Sequence, residues 1–190
     1  MSSFENKKIK EFLEELSSNS PTPGGGAAAA LVGSLAASLV EMVARLTIAK
    51  KGYEQLTSQM KTTGRKAAGY RRRLTALVGE DIGAFNQVMT AYRLVKEGKS
   101  REIKIEKALK KATEVPLETA VLSKEVLKLA REMTKKGNKT AKSDAKSAEF
   151  LAQAAIRSAL ENVKINLDSI KDRQWAKEIR ARSLLVRKAL

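Results

Sequence analysis

The 190-residue chain contains neither cysteine nor histidine. The first absence excludes disulfides, thiolate nucleophiles and the usual zinc sites, and the second removes the common proton carrier at neutral pH. Any acid–base chemistry must therefore use Asp, Glu, Lys or Tyr. Aromatic residues make up only 4% of the chain, so burial has to come from close helix packing or from a partner subunit rather than from large rings. No basic stretch followed by an apolar one opens the sequence, so no secretory signal is read and a cytoplasmic location is expected. The longest strongly apolar run, residues 27–40, includes Gly33, Ser34 and Ser38, which suits a buried helix better than a membrane span.

What the chain does have is positive charge. Thirty-seven Lys and Arg against 21 Asp and Glu leave +16, yet residues 1–50 carry five of each sign and are neutral. The excess begins after Lys51, and such a surface attracts polyanions in general: nucleic acid, anionic lipid or a small ligand with a polycarboxylate tail. No zinc-finger pattern, aromatic-rich RNA motif or evident helix-turn-helix accompanies it, so nucleic acid is the weaker choice.

Along the chain the pattern is helical throughout. Ser2 and Glu5 read as a capping box for an amphipathic helix carrying Ile9, Phe12, Leu13 and Leu16. Pro21, Pro23 and the triplet Gly24, Gly25, Gly26 make a loop that releases into a second helix, about 25–51. There, Ala28, Ala29, Gly33, Ala36, Ala37 and Ser38 let neighbours approach closely, so this should be the central element. Residues 54–97 are helical, with Gly64, Gly69 and Gly79 as possible boundaries; one helix to about Val78 and a second, or a continuation, from Asp81 to Lys96 is expected. Residues 103–135 form a helix that Pro116 should kink or split. Gly137 and Asn138 stop it, Ser143 can cap a helix to about Ile170, and 172–189 read as a final basic helix. With no strand alternation the fold class is all-α: a single-domain helical bundle around the small-residue helix, spanning 1–190, and the scarcity of rings favours a homo-oligomer.

Few residues could carry chemistry. Glycines ahead of a helix let backbone N–H groups face an anion or carbonyl oxygen, though Ala27 and Ala28 follow where a nucleotide-binding loop needs Lys and Ser or Thr. Asp81 is either a helix cap or an acid beside an apolar patch. Lys96 ends its helical pattern and by itself reads as a solvated charge. Ser158, Asn162 and Asn166, four apart, form one stripe that serves either a structural hydrogen-bond network or a ligand. Ser143 and Asp144 read as caps, and Arg71 to Arg73 as a solvated basic face.

Taken in order, these segments resemble the formiminotetrahydrofolate cyclodeaminase and methenyltetrahydrofolate cyclohydrolase family. The resemblance runs from Ser20, Pro21, Thr22, Pro23, Gly24, Gly25, Gly26 through Asp81, Ala84, Phe85, Leu94 and Lys96 to Val115, Pro116, Leu117. It continues in Gly137, Asn138, Ser143, Asp144 and closes with Asn162, Val163, Ile165, Asn166, Leu167. The family's pattern has Pro where this chain has Val95, and often Ser where it has Ala27. The resemblance implies an all-α homodimer with a tetrahydrofolate derivative as substrate in a groove near the subunit interface, and no metal. It implies Asp81 as acid–base catalyst with Lys96 beside it. Pro23, Gly24, Gly25, Gly26, Ser143, Asp144, Asn162 and Asn166 would bind folate. Two reactions fit: closure of 5-formiminotetrahydrofolate to methenyltetrahydrofolate with loss of ammonia, and hydration of methenyltetrahydrofolate to 10-formyltetrahydrofolate. A polyglutamylated folate would suit the basic surface. The competing readings are a basic nucleic-acid-binding helical protein and a non-catalytic helical scaffold.

Overall fold

The computed structural model describes residues 7–94 and 98–190, and among these it is helical with no strand. Six α-helices follow one another: α1 (Ile9–Leu16), α2 (Gly25–Ile48), α3 (Thr57–Leu94), α4 (Lys99–Lys136), α5 (Lys142–Asp168) and α6 (Arg173–Arg187), with single 3-10 turns at Glu54–Leu56 and Lys139–Ala141. The expected Ser2/Glu5 capping box lies outside the described residues. Within them α1 starts after Lys8, whose backbone N–H donates to the Glu11 carboxylate at 3.1 Å.

The four long helices run up and down in turn, each antiparallel to the next. Gly26 meets Asp81 at one end of the α2–α3 pair, and Glu41 meets Arg71 further along. Between α3 and α4, Arg73 bridges Glu118 at 2.7 Å and also pairs with Glu80. Between α4 and α5, Thr134 donates to Glu149 at one end and Asn166 to the Ala112 carbonyl at the other.

The small-residue pattern places α2 at the centre, as expected. Ala27, Ala30, Ala36, Ala37, Val40, Val43 and Ala44 are fully buried, against α3 and α5 on either side and α4 across the bundle. The α2–α4 diagonal is the short one because a glycine faces a serine there: a Cβ on Gly33 would come within 2.6 Å of Ser123 Oγ. By length and hydropathy α2 is apolar enough to cross a membrane, yet most of it is buried inside the bundle. Beyond the α2 N-terminus a second core, built on Val88, Leu109, Leu117, Val163, Leu167 and Ile170, is closed by Ala176 and Ile179 of α6. Asp172 caps α6 as its position before the helix suggests, accepting from the Trp175 N–H at 3.0 Å.

The structure chooses between the boundary alternatives, and at the possible breaks in α3 and α4 it keeps the helix continuous, tertiary packing overriding local propensity. Helix α3 runs unbroken from Thr57 to Leu94, so Gly64, Gly69 and Gly79 are interior positions and Asp81 caps nothing. Pro116 does not split α4, which continues for 38 residues with the proline inside it. Ser143 is the second residue of α5 rather than its cap; the capping position is Ala141. Helix α2 also ends three residues early, at Ile48.

Candidate functional site

The residues that bear the clearest chemistry meet at the N-terminus of α2. Gly24 is the position before the helix and Gly25 its first residue, preceded by a cis Thr22–Pro23 peptide with Pro23 buried. Each of the next two glycines faces a different neighbour. A Cβ on Gly26 would fall 2.2 Å from Asp81 Oδ1, a clash that forbids any side chain while the carboxylate stays there. A Cβ on Gly25 would fall 3.2 Å from the Asn162 amide nitrogen. The glycines therefore admit a carboxylate from α3 and an amide from α5 to the same helix turn, although α3 and α5 scarcely meet elsewhere.

Asp81 is mostly buried there, and burial pushes its carboxyl up to about 6 from the ordinary 3.8, against the opposing pull of a hydrogen bond from the Ala27 backbone N–H. That N–H is one of the donors a helix N-terminus leaves without an intrahelical partner, so the ionised form is supported without being fully compensated. No described cation forms an ion pair with Asp81; the neighbouring Glu80 is occupied by Arg73. At four- and eight-residue spacing Phe85 and Met89 extend along the Asp81 face of α3, and both are half-buried. By that spacing they form an apolar ledge along the helix from the acid. Met89 escaped the sequence reading because a single methionine in a helix looks like ordinary core; its i+8 spacing from Asp81 was the available signal.

Asn162 and Asn166 lie one turn apart on α5 and do different things. The Asn162 amide donates to the Ser158 carbonyl at 2.9 Å, and its oxygen, 3.5 Å from where a Cβ on Gly25 would lie, takes part in no hydrogen bond among the described residues. The Asn166 amide donates to the Ala112 carbonyl on α4 at 2.8 Å. Ser143 and Asp144 are not brought to this cup: they lie near the far end of α5, about five turns or ~27 Å from Asn162. Lys96 lies outside the described residues. An open groove of about 1450 Å³ between α3 and α4 is lined by Asn86, Thr90, Lys107 and Lys111 among others. At about 100° per residue Asn86 and Thr90 project from the side of α3 opposite Asp81, so this groove and the acid do not share a wall.

A buried carboxylic acid poised near pH 6, donors at a helix end, an amide oxygen and an apolar ledge suit proton transfer on a flat heterocycle with hydrogen-bonding edges. Comparison with known proteins agrees. Residues 8–184 match the family model described as formiminotransferase-cyclodeaminase. The chain is 44% identical over 177 residues to the methenyltetrahydrofolate cyclohydrolase of Methylorubrum extorquens, covering 91% of this chain and 85% of that protein. It is 35% identical over 171 residues to the formimidoyltransferase-cyclodeaminase of Dictyostelium discoideum, covering 88% of this chain but only 31% of that longer protein. In structure it is similar to a formiminotetrahydrofolate cyclodeaminase from Thermotoga maritima, with a TM-score of 0.91 and 32% identity, covering 97% of this chain and 90% of the other.

The raised pKa of Asp81 makes stability depend on pH. Between about pH 4 and 6 the folded protein keeps a proton that the unfolded chain releases, so stability falls as pH rises through this window. The cost, on the order of 2 kcal/mol after discounting for partial exposure, is absent below about pH 4 and complete above about pH 6. Melting temperatures of wild type and Asp81→Asn, taken at one protein concentration from pH 4 to 7, should diverge, with the variant gaining on the wild type as pH rises. Parallel curves would show that the carboxyl is not held in an unfavourable setting.

Proposed function

The chain belongs to the formiminotransferase-cyclodeaminase family, and on that premise we propose that the cup at the α2 N-terminus is where its folate substrate reacts. The protein is a folate one-carbon enzyme acting on the N5–N10 bridge of tetrahydrofolate, as a methenyltetrahydrofolate cyclohydrolase or a formiminotetrahydrofolate cyclodeaminase. The observation that carries the site is Asp81, a buried acid near pH 6 seated on a glycine helix end.

In the hydration, water adds to the amidinium carbon between N5 and N10 while Asp81 takes its proton, giving a tetrahedral carbinolamine. Asp81 then returns that proton to N5 as the carbon–N5 bond breaks, and the hydroxyl proton leaves as the formyl C=O forms on N10. In the deamination, N10 adds to the protonated formimino carbon, Asp81 takes the N10 proton and passes it to the departing nitrogen, and ammonia leaves. Both routes need one group that accepts and then donates a proton, which works best when its pKa lies near the working pH. The substrate's positive charge favours the ionised carboxylate on binding. Phe85 and Met89 offer the ring an apolar surface, and the Asn162 oxygen can accept from a pterin N–H.

Spectrophotometric assay with methenyltetrahydrofolate, and separately with 5-formiminotetrahydrofolate, tests this reading. Asp81→Asn should lower kcat by about 10² to 10⁴-fold, and the wild-type kcat/KM should rise with pH through about 6. Wild-type turnover by a folded Asp81→Asn protein would remove Asp81 from the role.

Pairing of two chains through α2 accounts for a feature the bundle leaves unexplained. Leu35, Met42 and Leu46 are 48%, 37% and 43% exposed, and with half-buried Leu31 and Leu39 they recur every three or four residues along one face of α2. That is the spacing of a helix–helix seam, and a second copy presents the same stripe. Such a homodimer places the Gly24–Gly26 turn close to the interface. Sedimentation should give twice the 20.8 kDa chain mass, and Leu35→Glu with Met42→Glu should give monomers; a dimer that survives both changes rules out this face.

The basic surface fits a γ-linked polyglutamate tail. Lys104, Lys107 and Lys111 follow one another along one face of α4 with no ion pair among the described residues. Affinity for a polyglutamylated folate should exceed that for the monoglutamate at low salt and converge with it as salt rises. Equal affinities at low salt would refute the attraction.

A further inference from the structure

A proline inside a helix has no N–H for the carbonyl four residues earlier, and its ring pushes against that carbonyl. For Pro116 the abandoned carbonyl belongs to Ala112. Pro116 is buried in the middle of α4, so the cost of an unmade hydrogen bond there would be large. The flanking threonines do not help: Thr113 donates to Leu109 and Thr119 to Val115, each within its own helix. The donor comes instead from α5, where the Asn166 amide reaches the Ala112 carbonyl at 2.8 Å.

We infer that Asn166 is a positioning residue: by completing the ladder that Pro116 breaks in α4, it holds α5 in the register that sets Asn162 against Gly25. Only two hydrogen bonds tie α4 to α5 among the described residues, Thr134 to Glu149 near one end and Asn166 to Ala112 near the other. The second lies one turn from Asn162 on the same stripe. Asn166 thus acts on the cup through Asn162, without contacting substrate, and Pro116 creates the acceptor that makes an asparagine the fitting residue at 166. An aspartate there would present a second acceptor to the carbonyl and could not substitute.

The inference rests on the folate reading, and a mutant cycle separates the two. Asn166→Ala and Asn166→Asp should each lower kcat/KM about tenfold or more under conditions where circular dichroism shows the protein folded, since small misplacements at a site are amplified in rate. Pro116→Ala, which supplies a backbone N–H to the Ala112 carbonyl, should retain activity and should restore most of the activity of Asn166→Ala in the double variant. The melting temperatures should show the same non-additivity. Failure of Pro116→Ala to rescue turnover while rescuing stability would mean that Asn166 touches substrate, and additive effects on both would mean that the Ala112 bond does not matter. If wild type turns over neither folate, the folate reading and the positioning role fall together, and the melting-temperature cycle still judges the Asn166 to Ala112 link.

Discussion

The arrangement depends on the approach of the Asp81 carboxylate to Gly26. Helix α3 can bring a carboxylate against the start of α2 only if the second residue of α2 has no side chain, because a Cβ there would lie 2.2 Å from the oxygen. The contact gives Asp81 an N–H from Ala27 and at the same time removes it from water. Those two effects oppose each other, and burial wins. A carboxyl at an exposed helix N-terminus would be held low; the same carboxyl sunk into the bundle beside that terminus is raised to about 6.

The surrounding charges are arranged so that they leave this balance alone. Arg73 is committed to Glu80 and Glu118, which ties α3 to α4. Glu41, nearly buried on α2, is neutralised by Arg45 and Arg71. The run Arg71 to Arg73, which taken alone is a solvated basic face, is thus partly spent on joining helices; only Arg72 is classed as exposed. Close packing of small residues does the rest. Gly33 against Ser123 draws α2 and α4 together across the bundle, and the short diagonal keeps α3 and α5 apart except where the α2 N-terminus bridges them.

How much of this was legible can be judged from single residues. Gly24 to Gly26, legible as the entry to a packed helix, are that entry, but what each glycine faces is not in the local sequence. Asp81 is legible as an acid, but its choice between capping a helix and standing beside an apolar patch is not, because Gly79 weakens helix propensity there while the neighbouring helices hold α3 intact. In the sequence Asn162 and Asn166 belong with Ser158 to one stripe, open to either a structural hydrogen-bond network or a ligand. In three dimensions they divide, since only Asn166 has a proline-orphaned carbonyl within reach. Ser143 and Asp144 were joined to the site by resemblance alone, and the length of α5 separates them from the cup within one chain.

By itself the sequence determined the helical class, the central place of the alanine- and glycine-rich helix, the lack of histidine or cysteine chemistry and the resemblance to a folate family. Those follow from periodicity, side-chain size, residue inventory and the order of motifs, all of which are written along the chain. Only the tertiary structure decided that Asp81 sits on Gly26, that its pKa is raised, that Asn166 answers Pro116 and that one face of α2 remains apolar and open. Each of these pairs residues far apart in sequence, and a carboxylate's acidity or a carbonyl's need for a donor depends on what water can no longer reach, which no local pattern records.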